Sequence, residues 1–329
     1  MMTKIRLVIT SALAVMLSNG LVMAKDKPLL SIAAVADPQY ADAPRRGGRE
    51  PKKALNRMHH AVSEFNKRDI DWGVILGDII DWDDIEYGRF PHKIIAKEPI
   101  GWIHKNAILN AWGKADFPTY LVLGNHDYYV PNEDKDGTIK PYNVYRAFGF
   151  KDKAYYDFES KGFRFVVLDG DFHYLNYSPK HPNYKKAYNY YRNFKGPQKK
   201  WWNAAISKEQ QTWLIDVLDR ALSKQESVVI MCHYPIHKSG QHSLLNDTEI
   251  LKILDQYPNI CLYLNGHAHG GDYKLMGKRH HFNLRGMQGD ADAWYQIDFY
   301  SDKIKVLQAE KTSKPIYELK IDKSWQDKK

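Results

Sequence analysis

A short apolar run that ends in polar side chains decides how this chain is expected to fold. Residues 119–127 read Thr119-Tyr-Leu-Val-Leu-Gly124-Asn125-His126-Asp127. The apolar half shows no polar alternation, which is typical of a strand covered on both faces of its sheet. The side chains of Asn125 and His126 would then lie beyond the carboxyl end of that strand, where open α/β sheets bind ligands.

The same arrangement recurs on both sides of this stretch. Further buried strands are predicted at Leu29–Ala36, Val74–Leu76, Phe163–Leu168, Val228–Met231 and Ile260–Leu264. Four of them also end in polar side chains, namely Asp37-Pro-Gln39, Gly77-Asp78-Ile-Ile-Asp81, His233 and Gly266-His267-Ala-His269. The five strand ends are therefore predicted to surround one crevice with the donors Asp37, Gln39, Asp78, Asn125, His126, His233, His267 and His269.

Helical patterns lie between the strands. Apolar side chains recur at helical spacing over Lys52–Lys67, and the stretch Ser207-Lys-Glu-Gln210 is typical of a capping box that opens another helix. After Gly270, short strands are predicted near Phe282, at Tyr295–Phe299 and at Ile304–Leu307. Strand–helix alternation followed by a strand-rich end favours a layered α/β fold.

The first two dozen residues differ from the rest of the chain. Lys4 and Arg6 precede an apolar run that ends at Leu17, and Val22-Met-Ala24 has the small-residue character of a cleavage site. The run is shorter than the roughly 20 residues that span a bilayer, which disfavours the alternative of an uncleaved anchor. We predict a signal peptide at residues 1–24, one domain at residues 25–329 without a transmembrane segment, and a secreted or periplasmic location.

Charge and cysteine content set limits on function. Residues 1–24 contain two of the positive charges and no negative one, so the formal charge of +9 becomes +7 without them. Mild positive charge suits an anionic substrate, an anionic membrane or a nucleic acid equally well. Cys232 and Cys261 both lie in apolar strands, which favours buried free thiols over a disulfide and argues against a thiolate metal site.

The predicted donors are oxygen and imidazole groups without sulfur, a set that suits Mn, Fe, Zn or a similar divalent ion. They are numerous enough for two ions, with one carboxylate able to bridge them. Taken alone, an aspartate after a strand is usually a turn or a helix cap, and a histidine there is usually a surface group. This simpler interpretation does not explain why such residues follow five different strands.

The motifs at the five strand ends resemble those of the calcineurin-like metallophosphoesterase superfamily, whose pattern is D-x-H, G-D-x-x-D, G-N-H-[DE], H and G-H-x-H in this order. The resemblance extends from about Leu30 to about Tyr300, nearly the whole chain after residue 24. It implies an αββα sandwich, in which two mixed β-sheets are flanked by helices.

One departure from that pattern narrows the resemblance. Gln39 stands where most of the superfamily has histidine, and a neutral amide oxygen weakens a preference for Zn and favours Mn or Mg. A subgroup with glutamine there, the manganese-dependent ADP-ribose/CDP-alcohol diphosphatases, is similar to this chain. The stretches Asp37–Asp42, Ser207–Leu214 and Asn283–Gly286 also resemble that subgroup.

The resemblance assigns a role to each motif residue. It implies two divalent ions, Mn favoured and Fe, Zn or Mg open, that activate a hydroxide without a covalent enzyme intermediate. His126 would contact phosphate and protonate the leaving oxygen, with Asp127 orienting its ring, and Asp81 would hold a ligand histidine. The first ion would bind Asp37, Gln39, Asp78 and His269, and the second would bind Asp78, Asn125, His233 and His267.

Several residues outside the motifs keep two interpretations. Arg45, Arg46 and Arg49 either reach a distal phosphate or lie in a solvated loop. The basic, aromatic segment Tyr184–Trp202 either stacks a base and attracts phosphate or packs its rings on its own domain. The histidines away from the motif loops are expected to be structural, namely His59, His60, His280 and His281.

Hydrolysis of a phosphoanhydride bond in a small nucleotide-like compound, such as ADP-ribose or a CDP-alcohol, is the leading hypothesis for function. The first alternative is a broad phosphomonoesterase or phosphodiesterase that uses the same two ions. The second is a non-catalytic, exported anion-binding protein. No specific nucleic-acid partner is expected, and the sequence leaves the substrate and the oligomeric state open.

Overall fold

The computed structural model describes residues 27–81, 100–237, 240–310 and 314–326. The predicted signal peptide at residues 1–24 lies outside these ranges. The helices run as follows: α1 Pro51–Phe65, α2 Ile100–Trp112, α3 Tyr142–Ala147, α4 Tyr184–Asn193, α5 Lys208–Ser223 and α6 Asp247–Leu254. The strands are β1 Leu30–Val35, β2 Trp72–Leu76, β3 Thr119–Val122, β4 Tyr156–Ser160, β5 Phe163–Leu168, β6 Ser227–Cys232, β7 Ile260–Asn265, β8 Gly270–Met276, β9 Arg279–Arg285, β10 Trp294–Phe299, β11 Lys303–Gln308 and β12 Tyr317–Lys320.

Within the described ranges, the strands form two six-stranded sheets. The first has the order β12-β11-β10-β1-β2-β3 and the second has the order β4-β5-β6-β7-β9-β8. In the first sheet β1, β2 and β3 are parallel and β10 joins β1 antiparallel. In the second sheet β5, β6, β7 and β9 are parallel, with β4 and β8 as antiparallel edges. Both sheets are mixed, as predicted.

The core has three layers because each sheet buries both of its faces. Alternate residues of a strand point to opposite faces, so Ile32 of β1 lies between the two sheets while its neighbour Ala33 faces the outer layer. The outer face of the first sheet packs on α1 and α2, and that of the second packs on α5 and α6. The order helix, sheet, sheet, helix confirms the αββα sandwich.

Most predicted elements are present, with differences at their ends. The prediction that the strand at Thr119 is covered on both faces is wrong: β3 is an edge strand of the first sheet, with Thr119 exposed and Tyr120 and Leu121 partly exposed. The helix predicted at Lys52–Lys67 runs from Pro51 to Phe65. The capping box at Ser207 is half formed: the Ser207 hydroxyl accepts from the amide of Gln210, but the Gln210 side chain bonds the backbone of Asp169 instead of returning to Ser207. Asp171 accepts the Ser207 amide in its place.

The two cysteines are buried free thiols, as predicted. Cys232 points into the layer between the second sheet and its helices, whereas Cys261 points into the layer between the sheets. Their side chains therefore lie on opposite faces of one sheet. Burial raises the pKa of both thiols to about 12, so both are protonated near neutral pH.

The parallel strands of both sheets end at one edge of the sandwich. The amide of Asp37 after β1 donates to the carbonyl of Gly77 after β2 (3.1 Å). The amide of Gly266 after β7 donates to the carbonyl of His233 after β6 (3.0 Å). Because the motif loops are bonded to one another there, the predicted donors meet at this edge. Among the described residues, no helix is long and apolar enough to cross a membrane.

Candidate metal centre

Two groups of donor side chains lie at the edge where the strands end. Asp78, His233 and His267 form one group, and Asp37, Asp78 and His269 form the other, with the ligand atoms of each group within 4.8 Å of one another. Asp78 belongs to both groups. A carboxylate shared by two donor groups is the arrangement that a bridging ligand between two cations requires.

Two amide oxygens complete the groups. The Nε2 of Gln39 donates to Oδ2 of Asp78 (2.8 Å), and Nδ2 of Asn125 donates to the Tyr129 hydroxyl (3.0 Å). The remaining oxygens, Oε1 of Gln39 and Oδ1 of Asn125, are buried without a hydrogen-bond partner among the described residues. Since buried polar atoms are normally paired, two orphaned acceptors beside the donor groups fit bound cations.

Two imidazole rings are held so that one nitrogen of each faces the site. The Nδ1 of His233 donates to the carbonyl of Leu76 (2.8 Å), and Nε2 of His267 donates to Oδ1 of Asn203 (2.9 Å). The other two nitrogens, Nε2 of His233 and Nδ1 of His267, face each other 3.0 Å apart. In a metal-bound form both would be deprotonated and could bind one cation.

Asn203 is a positioning residue that the sequence analysis did not find. It is 1% exposed, and its Nδ2 donates to the carbonyls of Gln198 (2.8 Å) and Gln241 (2.9 Å). These bonds fix which edge of the amide faces His267. A single asparagine after two tryptophans carries no sequence signal for this role.

Charge in the site is concentrated on buried carboxylates. Asp37 and Asp78 are 0% and 1% exposed. Burial by itself raises the pKa of Asp78, but His233 and His126 outweigh it and hold that pKa well below its usual value. Burial, together with His233, lowers the pKa of His267 well below its usual value. An ionised carboxylate and a neutral imidazole are the forms that bind metal.

Four of the seven predicted ligands have a backbone conformation that L-residues rarely adopt. The φ angles of Asp37, Gln39, Asp78 and His267 are 50°, 43°, 51° and 67°. Each such residue costs about 1–3 kcal/mol and persists where the surrounding structure fixes it. The positive φ angles direct the side chains of four loop residues into a common centre, so this strain supports a functional assignment.

Asp81 and Asp127 do not make the contacts expected from sequence. Asp127 was expected to orient the His126 ring, but its oxygens accept the amides of Ile79 (2.8 Å) and Gly124 (2.8 Å). It therefore joins the loops after β2 and β3. The ring of His126 is instead held at Nδ1 by Oδ1 of Asp81 (3.0 Å), which was expected to hold a ligand histidine.

Close packing explains the glycines in two motifs. A Cβ on Gly124 would lie 2.3 Å from Oδ1 of Asp78, and one on Gly266 would lie 2.5 Å from Oδ2 of Asp37. Both distances are far inside van der Waals contact. A side chain at either position would push a carboxylate out of the donor groups.

A cleft of about 580 Å³ opens beside His269 and is lined by Arg46, Arg49 and Arg285. Arg46 and Arg49 face each other across a tight turn. The backbone amide of each residue donates to the backbone carbonyl of the other (3.0 Å). The Arg49 guanidinium lies 3.5 Å from Asp81, which links this cleft to His126. Arg45 is exposed and does not line it.

The first part of the basic aromatic segment Tyr184–Trp202 packs its rings on its own domain, whereas its end lies near the donor groups. Tyr184, Tyr188 and Tyr191 of α4 pack on Tyr174 within one hydrophobic cluster. The end of the segment lies near the donor groups, because it leads directly into Asn203. The histidines expected to be structural lie away from the donor groups: His59 and His60 are exposed on α1, and His280 and His281 are buried on β9.

A buried aspartate shared by two donor groups, at the strand ends of an αββα sandwich, defines a dinuclear metallohydrolase. The chain belongs to the calcineurin-like phosphoesterase family, whose profile matches residues 30–271. It is therefore a hydrolase of phosphate esters or anhydrides. The carboxylates and imidazoles of the two donor groups are among the residues that the family motifs predict.

Relatives of this chain carry one name. It is 29% identical over 326 residues to a manganese-dependent ADP-ribose/CDP-alcohol diphosphatase of Oryza sativa subsp. japonica. That alignment covers 89% of this chain and 96% of the rice protein. It is 24% identical to the protein of that name in Homo sapiens, covering 84% of this chain and 89% of that one. A dimetal phosphatase from Danio rerio shares the fold, with a TM-score of 0.72, 20% identity, and coverage of 90% of this chain and 99% of that one.

The bond from His267 to Asn203 predicts an effect on metal affinity. Asn203→Ala removes the acceptor that orients the ring, so we expect divalent-metal affinity to fall about 10- to 100-fold. Asn203→Asp keeps an acceptor and should retain wild-type affinity. Calorimetric titration of Mn²⁺ into metal-stripped protein measures both variants.

Asn110→Ala, at an exposed position of α2, is the matched control and should bind Mn²⁺ like wild type. Wild-type Mn²⁺ affinity in folded Asn203→Ala protein would show that Asn203 does not position His267.

Proposed function

We propose that the protein is a manganese-dependent diphosphatase that hydrolyses the phosphoanhydride bond of ADP-ribose, CDP-alcohols or similar nucleoside diphosphate compounds. The observation that carries the proposal is the pair of donor groups that share Asp78 and are completed by amide oxygens. Oxygen-rich sites favour Mn or Mg over Zn. The relatives that align over most of their length bear a manganese-dependent diphosphatase name.

The residues of the centre divide the work of such a reaction. Asp37, Gln39 and His269 would hold one ion, Asn125, His233 and His267 the other, and Asp78 both. When bound, the ions supply positive charge that activates water and neutralises charge on the phosphate oxygens. The protein fixes these ligands before substrate arrives, since their loops are bonded to one another.

His126 is placed to move a proton. Asp81 holds its Nδ1, which leaves Nε2 on the side of the centre, 3.8 Å from Oδ2 of Asp78. A ring with this orientation can donate from Nε2 to a leaving oxygen. A phosphate leaving group needs that proton less than an alkoxide does, because it is already stable as an anion.

The arginine cleft favours a diphosphate over a phosphate monoester. Arg46, Arg49 and Arg285 lie beside His269, so one phosphate in the metal centre would bring a second phosphate within their reach. Guanidinium groups suit phosphate because they bond it in a bidentate geometry. A monoester would leave this part of the site unused.

A substrate and metal panel tests the proposal. Protein stripped with chelator should be inactive and should recover with Mn²⁺ better than with Mg²⁺, Zn²⁺ or Ca²⁺, because the amide donors disfavour Zn²⁺. With Mn²⁺, kcat/KM for ADP-ribose and CDP-choline should exceed that for p-nitrophenyl phosphate and cyclic nucleotides. Coupled phosphate release and product chromatography measure these rates.

Gln39→His is the matched metal variant, since imidazole there should shift the preference towards Zn²⁺ or Fe²⁺. Full activity after verified metal removal would overturn the metal assignment. A higher kcat/KM for p-nitrophenyl phosphate than for ADP-ribose would instead establish a broad phosphomonoesterase.

The adjacent residues Asn125 and His126 should respond differently to removal. His126→Ala should retain bound metal but lose turnover, by about 10²–10⁴-fold for an alkyl phosphodiester and by less for ADP-ribose. Asn125→Ala removes a predicted ligand, so added Mn²⁺ should partly restore its activity on every substrate. Metal content and kcat for both substrates distinguish the two effects.

Equal losses on both substrates would remove the general-acid role of His126. Loss of metal from His126→Ala would make His126 a ligand.

We also propose that the protein is exported. The basic, apolar and small segments of residues 1–24 support export. Expressed in a bacterial host, the full chain should appear in the periplasm with Lys25 as its first residue, and a chain that begins at Lys25 should stay in the cytoplasm. Fractionation and N-terminal sequencing measure this. Full-length protein in the membrane fraction would indicate an anchor instead.

A further inference from the structure

Two tryptophans lie near the donor groups and are connected to them through neighbouring rings. Trp201 and Trp202 follow α4 and are both half-buried. The ring of Trp201 packs 5.6 Å from that of Tyr129. Tyr129 in turn packs 5.2 Å from the His126 ring and accepts the Asn125 amide. Trp201 is therefore one ring away from the predicted second metal.

Trp202 reaches the same side of the centre by another route. Its ring lies 6.2 Å from that of His242, and the His242 ring lies 5.4 Å from that of the predicted ligand His267. Trp202 Nε1 donates to the carbonyl of Gln241 (3.1 Å), which satisfies its one polar atom. The part of the Trp202 side chain that remains exposed is therefore aromatic surface.

We propose that Trp201, Trp202 and His242 form a base-stacking wall that binds the nucleobase of the substrate on the side of Asn125 and His267. This inference rests on the proposed function and names the part of the site that selects nucleotides. Aromatic rings that keep an exposed face beside a phosphate-binding centre are how proteins hold bases without reading their edges.

The charges around the wall match this ligand. The Nζ of Lys200 lies over the Trp202 ring, 5.9 Å from its centre, so the wall carries a positive charge that suits an anionic ligand. On the other side of the centre, beside His269, lies the arginine cleft. A nucleoside diphosphate compound would therefore place its base on the wall and its second phosphate towards the arginines.

Stacking also accounts for a substrate range that includes adenine and cytosine compounds. Every base has a π face, so a stacking wall is tolerant of base identity. ADP-ribose and the CDP-alcohols differ on both sides of the diphosphate, and an aromatic base joined through ribose is what they share. A wall that recognises that common part binds both classes.

Binding of products tests the wall independently of turnover. In Mn²⁺-loaded protein, wild type should bind AMP and CMP more tightly than ribose 5-phosphate, measured by calorimetry. Trp202→Leu should weaken AMP and CMP about 10-fold or more and leave ribose 5-phosphate and inorganic phosphate unchanged. Trp202→Phe keeps an aromatic face and should retain most of the affinity.

Trp213→Leu is the matched control, because Trp213 is a half-buried tryptophan of α5 that packs on Tyr155. It should bind AMP like wild type. Wild-type AMP affinity in Trp202→Leu would overturn the base-stacking wall. An equal loss of affinity for inorganic phosphate would also overturn it, because the substitution would then act on the metal centre. Failure of ADP-ribose hydrolysis alone would overturn the proposed function but not AMP stacking.

Discussion

The burial of two carboxylates, Asp37 and Asp78, is the constraint on which the rest of the centre depends. Both lie at the edge where the strands of the two sheets end, and neither is more than 1% exposed. A buried anion costs several kcal/mol unless it is compensated. Compensation comes from other loops: Asp37 accepts the amide of His267 (3.0 Å), and Asp78 accepts the amide of His126 (2.8 Å). The bond between His267 and Asp37 also joins the ends of the two sheets, so the contacts that compensate the buried charge also fix the geometry of the loops.

The strained loops depend on the core behind them. Each positive φ angle at the ligands costs about 1–3 kcal/mol, which would favour relaxation if the loops were free. They are not free, because each begins at a strand whose residues pack on both faces. Val35 and Leu76 end β1 and β2 and are fully buried in opposite layers. Burying such a side chain stabilises the fold by about 1.5–3 kcal/mol, so the sandwich holds the loops in conformations that they would not adopt alone.

Local sequence patterns predicted which donor side chains meet at the site, whereas the contacts between residues distant in sequence could not be predicted. These side chains lie within a few residues of a strand end, namely Asp37, Gln39, Asp78, Asn125, His126, His233, His267 and His269, so the position of each strand determines where the loop that follows it begins. The partner of His126 was assigned wrongly because Asp127 is adjacent in sequence, whereas Asp81 is adjacent only in the folded chain. Asn203 reaches His267 across 64 residues. Edge elements such as β4 were also missed, since its partly exposed residues lack the apolar run that marks the buried strands.

The net charge of the metal centre is consistent with a diphosphate substrate. Of the seven predicted ligands, Asp37 and Asp78 are anionic, and the amides and imidazoles are neutral when they bind metal. A pair of divalent ions held by them keeps about two positive charges. A diphosphate diester carries about two negative charges near neutral pH, which is equal in size and opposite in sign to the charge of the centre before a bound water loses its proton. Arg46, Arg49 and Arg285, which line the cleft beside the centre, would then add selectivity for the second phosphate. A neutral glutamine in place of a histidine leaves this balance unchanged and alters only which metal is preferred, which separates the choice of metal from the choice of substrate.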